Sequence, residues 1–189
     1  MIDKTIINSN ETRSIFILTD ILSEEFSLIL KEGRPIVFLC IGTDRSTGDS
    51  LGPLVGNKLT LLLRNKIFSY GNLKSPVHAK NLTNTLNEIK KTYNNPYIIA
   101  IDACLGSSQS VGNIIIESKP LFPGAAMHKL LPPVGDLSIT GVVNISGTLE
   151  FIVLQNTRLF TVMQLADIIS KGIYHSIIKT LNFKKISSI

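Results

Sequence analysis

The sequence predicts an α/β protein built on a mostly parallel sheet with helices on both faces. Two continuous apolar runs carry that expectation: Ile36-Val37-Phe38-Leu39-Cys40-Ile41 and Tyr97-Ile98-Ile99-Ala100-Ile101. Neither alternates apolar with polar residues, so each reads as a strand covered on both sides. The third observation is that segments of helical periodicity lie between and around the strand candidates, as a parallel sheet with crossover helices requires.

Taken in order, the first ten or so residues are polar and expected to be loose. Leu22, Phe26, Ile29 and Leu30 then recur at helical spacing, with Gly33 where a C-terminal cap belongs. A polar loop from Gly42 to Ser50 leads into a helix with Leu51, Leu54, Val55, Leu59 and Leu62 on one stripe. A short strand is expected at Pro76-Val77-His78-Ala79, and a helix carries Leu82, Leu86, Ile89 and Tyr93. Ile114-Ile115-Ile116 and Val142-Val143-Asn144-Ile145 are further strands, and a helix begins near Thr148. The last helix shows Val162, Leu165, Ala166, Ile169, Ile173 and Ile177, opened by Thr161 and Gln164 at capping-box spacing. No repeat or linker divides the chain. Residues 13–183 are expected to form one α/β domain, flanked by a loose segment over 1–12 and a tail over 184–189.

Composition narrows the class. A chain of 189 residues with 44% hydrophobic residues and mean hydropathy +0.27 can bury a substantial core. No run approaches ~18 consecutive apolar residues, so no helix is expected to span a membrane. Met1-Ile2-Asp3-Lys4 lacks the basic and apolar regions of a secretion signal. Cys40 and Cys104 stand in apolar contexts, as reduced core thiols do, and a cytoplasmic protein without a disulfide is expected. The net charge of +5 is spread along the chain, with pairs only at Lys90-Lys91 and Lys184-Lys185. No aromatic residues interleave with it, so it reads as surface solvation rather than a nucleic-acid platform.

In parallel sheets the ligand cleft lies beyond the carboxyl ends of the strands. Two polar groups are expected there: the loop Gly42-Thr43-Asp44-Arg45-Ser46-Thr47-Gly48-Asp49-Ser50, and Asp102, read as ending the second apolar run. Separately, Asp49 could cap a helix and Asp102 could accept backbone N–H bonds at a turn. Together, two carboxylates in one cleft cannot both ionise cheaply, so one holds a proton while the other activates water. The pair could instead grip a divalent metal. The loop is not a phosphate cradle, because its glycines are one residue too far apart and Asp49 stands where lysine belongs. Cys104 could be a nucleophile, although a core thiol is the commoner outcome; His78 and His175 read as turn or surface residues. His128 is a loop histidine within reach of the cleft, and the segment from Leu131 to Gly141 could wall it, with Asp136 a turn residue. Closely spaced cysteine and histidine ligands are lacking, so metal-dependent folding is not expected.

At these residues the chain resembles the YyaC-like sporulation proteins of endospore-forming bacteria. The likeness lies in the run from Cys40 to Gly56 and continues in Ile101-Asp102-Ala103-Cys104-Leu105-Gly106. It extends to Pro132-Pro133-Val134-Gly135-Asp136 and Val153-Leu154-Gln155-Asn156-Thr157-Arg158. More distantly, it is similar to the spore germination protease and the hydrogenase maturation endopeptidases. That resemblance implies a three-layer α/β/α, phosphorylase/hydrolase-like fold. It implies a catalytic pair at Asp49, within Asp49-Ser50-Leu51-Gly52-Pro53, and Asp102, within Ile101-Asp102-Ala103. The hydrogenase enzymes bind metal through an acidic residue, an aspartate and a histidine. Asp49 and Asp102 match the first two, and His128 is a candidate third without a matching motif.

The expectation is an endopeptidase of atypical aspartate type, acting on a spore or sporulation protein in the cytoplasm of the sporulating cell or spore. Thr43, Asp44, Arg45, Ser46, Ser50 and His128 would line or orient the site, with Arg45 tuning Asp49 or Asp44. No cofactor is implied beyond the open question of a divalent metal. The alternatives are a non-catalytic protein-binding module on the same scaffold, and a hydrolase of another amide.

Overall fold

The computed structural model describes residues 2–60, 66–123 and 131–186. Its centre is a six-stranded mixed sheet in the order β1-β5-β6-β4-β2-β3. The strands are β1 (Thr5–Asn8), β2 (Ile36–Cys40), β3 (Ile67–Tyr70), β4 (Tyr97–Gly106), β5 (Asn113–Glu117) and β6 (Leu137–Ile145). β6, β4, β2 and β3 run parallel, and β5 pairs antiparallel with both β6 and β1. The sheet is therefore mostly parallel, with a reversed strand near one edge.

The helices are α1 (Ser14–Lys31), α2 (Leu51–Leu59), α3 (Leu82–Thr92), α4 (Glu150–Gln155) and α5 (Leu159–Ile186). β2 shows why the arrangement is stable. Ile36, Phe38 and Cys40 face a core shared with Leu18 and Phe26 of α1, Val55 of α2 and Leu165 of α5. Val37, Leu39 and Ile41 face the opposite way, onto Leu82, Leu86 and Ile89 of α3. Every residue of β2 is buried, as a doubly covered strand requires. Helices thus lie on both faces, α1, α2 and α5 on one and α3 on the other.

The path of the chain creates the cleft. From β2 it crosses through α2 to β3 on one side, then through α3 on the opposite face to β4 on the other side of β2. β2 and β4 are thus adjacent parallel strands whose crossovers leave in opposite directions. That switch point is where open α/β sheets hold their ligands.

Several expectations need correction. Residues 5–8, read as loose, form edge strand β1, held by pairing with Ile114 and its neighbours on β5. Residues 184–186, expected as tail, continue α5. Thr161 and Gln164 do not form a capping box, because α5 begins at Leu159 and the Gln164 amide donates to the Ser9 carbonyl and Asn10 Oδ1. The segment around Val77 contributes only a single parallel bridge to Ile41. β3 lies earlier in the chain, in four residues whose alternation is too short to read. No helix among the described residues is long and apolar enough to cross a membrane.

Candidate functional site

Asp49 sits in a short 3-10 turn, Gly48–Ser50, that enters α2. Two glycines set this turn against the end of β2. Gly42 has φ +143, and a Cβ there would lie 2.0 Å from the Asp49 carbonyl oxygen. A Cβ on Gly52 would lie 2.0 Å from the Ile41 carbonyl oxygen. The Thr43 N–H donates to the Asp49 carbonyl at 3.0 Å and closes the loop. Asp49 is not a helix cap: the residue before α2 is Ser50, and no side chain bonds the exposed amides of either helix start. Its carboxyl is left free for other work.

Asp102 lies inside β4 rather than at its end. The apolar run stops at Ile101 because β2 stops opposite it, with Cys40 paired to Ile101. β4 itself continues to Gly106 along β6, where Asp102 pairs with Thr140. One Asp102 carboxylate oxygen, Oδ1, accepts the Ala103 N–H at 2.8 Å.

The charge of Asp49 acts on the carboxyl of Asp102. Burial pushes Asp102 up to about 8, the Ala103 N–H pulls it back, and the negative charge of Asp49 raises it further. Asp102 is half-buried. Asp49 is also raised by burial, and the buried Ser46 hydroxyl beside it lowers it somewhat, without reaching the geometry of a full hydrogen bond. Both carboxyls are thus held above the ordinary carboxylate range, Asp102 far enough to keep its proton near neutral pH.

The remaining expected residues separate into two groups. Thr43, Asp44 and Arg45 line a cleft of about 580 Å³ with Lys74, His78 and Lys80. Arg45 forms no ion pair with Asp44 or Asp49 among the described residues and faces the cleft. Ser50 instead points inward: it is buried and its hydroxyl donates to the Thr47 carbonyl at 2.7 Å. His128 lies outside the described residues. The described part of the segment from Leu131 to Gly141 does not wall this cleft at Asp136. There the chain joins the opposite end of the sheet, with the Asp136 N–H on the Ile98 carbonyl and Asp136 Oδ2 accepting the Ile98 N–H.

His78, read as a turn or surface residue, is a site neighbour that sequence reasoning missed. Its Nδ1 is buried without a hydrogen-bond partner, and the residue lines both this cleft and an adjoining one with Tyr70 and Asn81. The weak strand signal at Val77 was the usable clue, since the Val77–Ile41 bridge is what carries His78 to the end of β2. Cys40 and Cys104 are free thiols that burial raises to about 12 and about 11. Neither is a thiolate at neutral pH, so the nucleophile reading of Cys104 fails. Among the described residues no three His, Cys, Asp or Glu side chains group as metal ligands.

Fold and site together define an α/β protein with two aspartates, both raised by burial, near the switch point of its sheet. Within that class the chain belongs to the DUF1256 family, described as a protein of unknown function, whose family model matches residues 6–172. It is 54% identical over 147 residues to the uncharacterized protein YyaC of Bacillus subtilis strain 168, covering 78% of this chain and 72% of that one. Among solved structures it is similar to a NiFe hydrogenase maturation protease, HycI, from Thermococcus kodakarensis KOD1. That likeness has a TM-score of 0.46 and 17% identity, covering 74% of this chain and 92% of the other.

Proposed function

We propose that this protein is an endopeptidase of sporulating cells that hydrolyses a peptide bond of a spore or sporulation protein. The observation that carries the reading is the placement of two aspartates at the switch point, Asp49 on the turn entering α2 and Asp102 just past the end of the β2 pairing, with burial raising both carboxyls. In this reading the Asp49 carboxylate takes a proton from a water molecule as the water oxygen bonds to the substrate carbonyl carbon. Asp102 gives its proton to the carbonyl oxygen, which becomes a hydroxyl on the tetrahedral carbon. As the C–N bond breaks, the proton held on Asp49 passes to the departing nitrogen, and the hydroxyl proton returns to Asp102. One water and one amide become one acid and one amine, and both aspartates end as they began.

Thr43, Asp44 and Arg45 would bind the chain flanking the scissile bond, since they line a cleft formed by the loop that leads to Asp49. Exposed apolar residues at the same end of the molecule, including Phe151 and Ile152, favour a second reading in which the scaffold binds a protein without cleaving it. Protein extract from sporulating cells, incubated with wild type or with the Asp102→Asn variant, separates the two. New peptide termini with wild type alone support hydrolysis. Retention of a protein by both, with no new termini, supports the binding module.

A further inference from the structure

β4 outruns its neighbour. Its pairing with β2 ends at Ile101, whose carbonyl accepts the Ile41 N–H at 2.7 Å, while its pairing with β6 continues to Gly106. β2 then turns the other way, and the Gly42 N–H bonds the Val77 carbonyl at 2.7 Å. Five residues of β4, Asp102 to Gly106, are left with a flank that no strand among the described residues covers.

In a parallel ladder successive residues direct their backbone groups to alternate neighbours. The Ile98 and Gly106 carbonyls accept from Asp136 and Ser146 on the β6 side, and Ile101 faces β2. Ala103 and Leu105 share the alternation of Ile101 and face the vacated flank. The Asp102 carboxylate already holds the Ala103 N–H. Among the described residues no hydrogen bond outside the ladder reaches the Ala103 carbonyl or either backbone group of Leu105. A row of such groups is a template for an added strand.

We infer that a protein substrate docks by adding an extended segment to this flank, pairing its backbone with Ala103 and Leu105. This rests on the hydrolytic reading of the same site. The first open donor, Leu105, lies three residues beyond Asp102, about 10 Å along the strand. A docked chain is therefore anchored just beyond the acid and runs back past Asp102 along the open flank. The surroundings suit an apolar extended chain. α4 packs against the turn that carries Asp49, with Leu154 against Gly48, and exposes Phe151 and Ile152; Ile145 and Leu149 beside it are also exposed. The occupant is thus an unfolded or terminal stretch of substrate rich in alternating apolar residues, rather than a folded surface.

The test uses the Asp102→Asn variant of the full chain, which binds without cleaving, and an alternating valine–threonine decapeptide. Two further peptides carry N-methyl groups on the valine amides or on the threonine amides, so that each loses the donors of one edge. Calorimetry should show binding of the parent, about tenfold or greater weakening by one N-methylated peptide, and little change with the other. Equal weakening by both, or no binding of the parent at millimolar concentration, would overturn the docking edge. The cleavage assay with sporulating-cell extract keeps the two claims apart. One-edged binding without hydrolysis by wild type leaves the edge standing and removes the peptidase. Hydrolysis without one-edged binding does the reverse.

Discussion

The negative charge of Asp49, on the turn entering α2, reaches the carboxyl of Asp102 inside β4 and adds to the burial that raises it to about 8. These residues are more than fifty positions apart in sequence and come from different layers of the fold. Both lie toward the same end of the sheet because β2 and β4 are neighbours whose crossovers depart in opposite directions, and because Gly42 lets the loop after β2 fold back against its own strand end.

This relationship gives stability a distinctive pH dependence. In the unfolded chain Asp102 ionises near 3.8, and in the native protein near 8. Below the first value both states hold the proton and Asp102 has no effect. Between the two, only the native state keeps it, so stability falls as pH rises through this window and the penalty is complete above about 8. Thermal melts of Asp102→Asn should match wild type at pH 4 and exceed it by a margin that grows to pH 8. A constant difference across that range would show that Asp102 is not raised.

The coupling itself is measurable by carboxyl carbon-13 NMR. Asp102 should titrate well above the normal carboxylate range in wild type, and its midpoint should fall in Asp49→Asn, where the neighbouring charge is gone. An unchanged midpoint would mean that the carboxyls do not sense each other. Asp49→Asn should also leave the melting temperature close to wild type or above it, because the Asp49 side chain caps no helix.

Gly42 holds the geometry. Alanine there would carry a strained backbone at φ +143 and drive its Cβ into the Asp49 carbonyl. Gly42→Ala should destabilise by about 1–3 kcal/mol and lower the Asp102 midpoint as Asp49 is displaced. Denaturant unfolding and the same NMR titration check both effects. A stable variant with an unshifted Asp102 would contradict the role of the loop.

The thiols provide an independent check on packing. Titration in denaturant without reductant should find both Cys40 and Cys104 free, and the native protein should react slowly at neutral pH because burial raises both thiols. Rapid native labelling of Cys40, which is fully buried in β2, would contradict the packing of that strand.

Much of this was legible in the sequence for a physical reason. Strands buried on both faces leave unbroken apolar runs, so β2 and the first half of β4 could be read from residues 36–41 and 97–101. The same logic misplaced the end of β4. Apolar character stops at Ile101 because β2 stops there, while the strand continues with one neighbour, and a loss of burial was read as a loss of strand. β1 and β3 are four-residue edge strands whose pairing partners supply most of their order, which a local pattern does not reveal. At the site, Asp49 and Asp102 stand out in the sequence because carboxylates after apolar strands are conspicuous. His78 was missed because only the long-range bridge of Val77 to Ile41 brings it there. Ser50 was wrongly grouped with the lining residues because adjacency in a loop says nothing about which way a hydroxyl turns.

The central claim is that Asp49 and Asp102 form one acid–base unit that hydrolyses a peptide bond. Its most direct test is the rate at which new peptide termini appear in sporulating-cell protein treated with wild type, Asp49→Asn or Asp102→Asn at neutral pH. Both variants should remain folded, and each should cut about 10²-fold more slowly or worse, the loss expected for an acid–base group. Equal rates for all three proteins, or no cleavage by wild type, would contradict it.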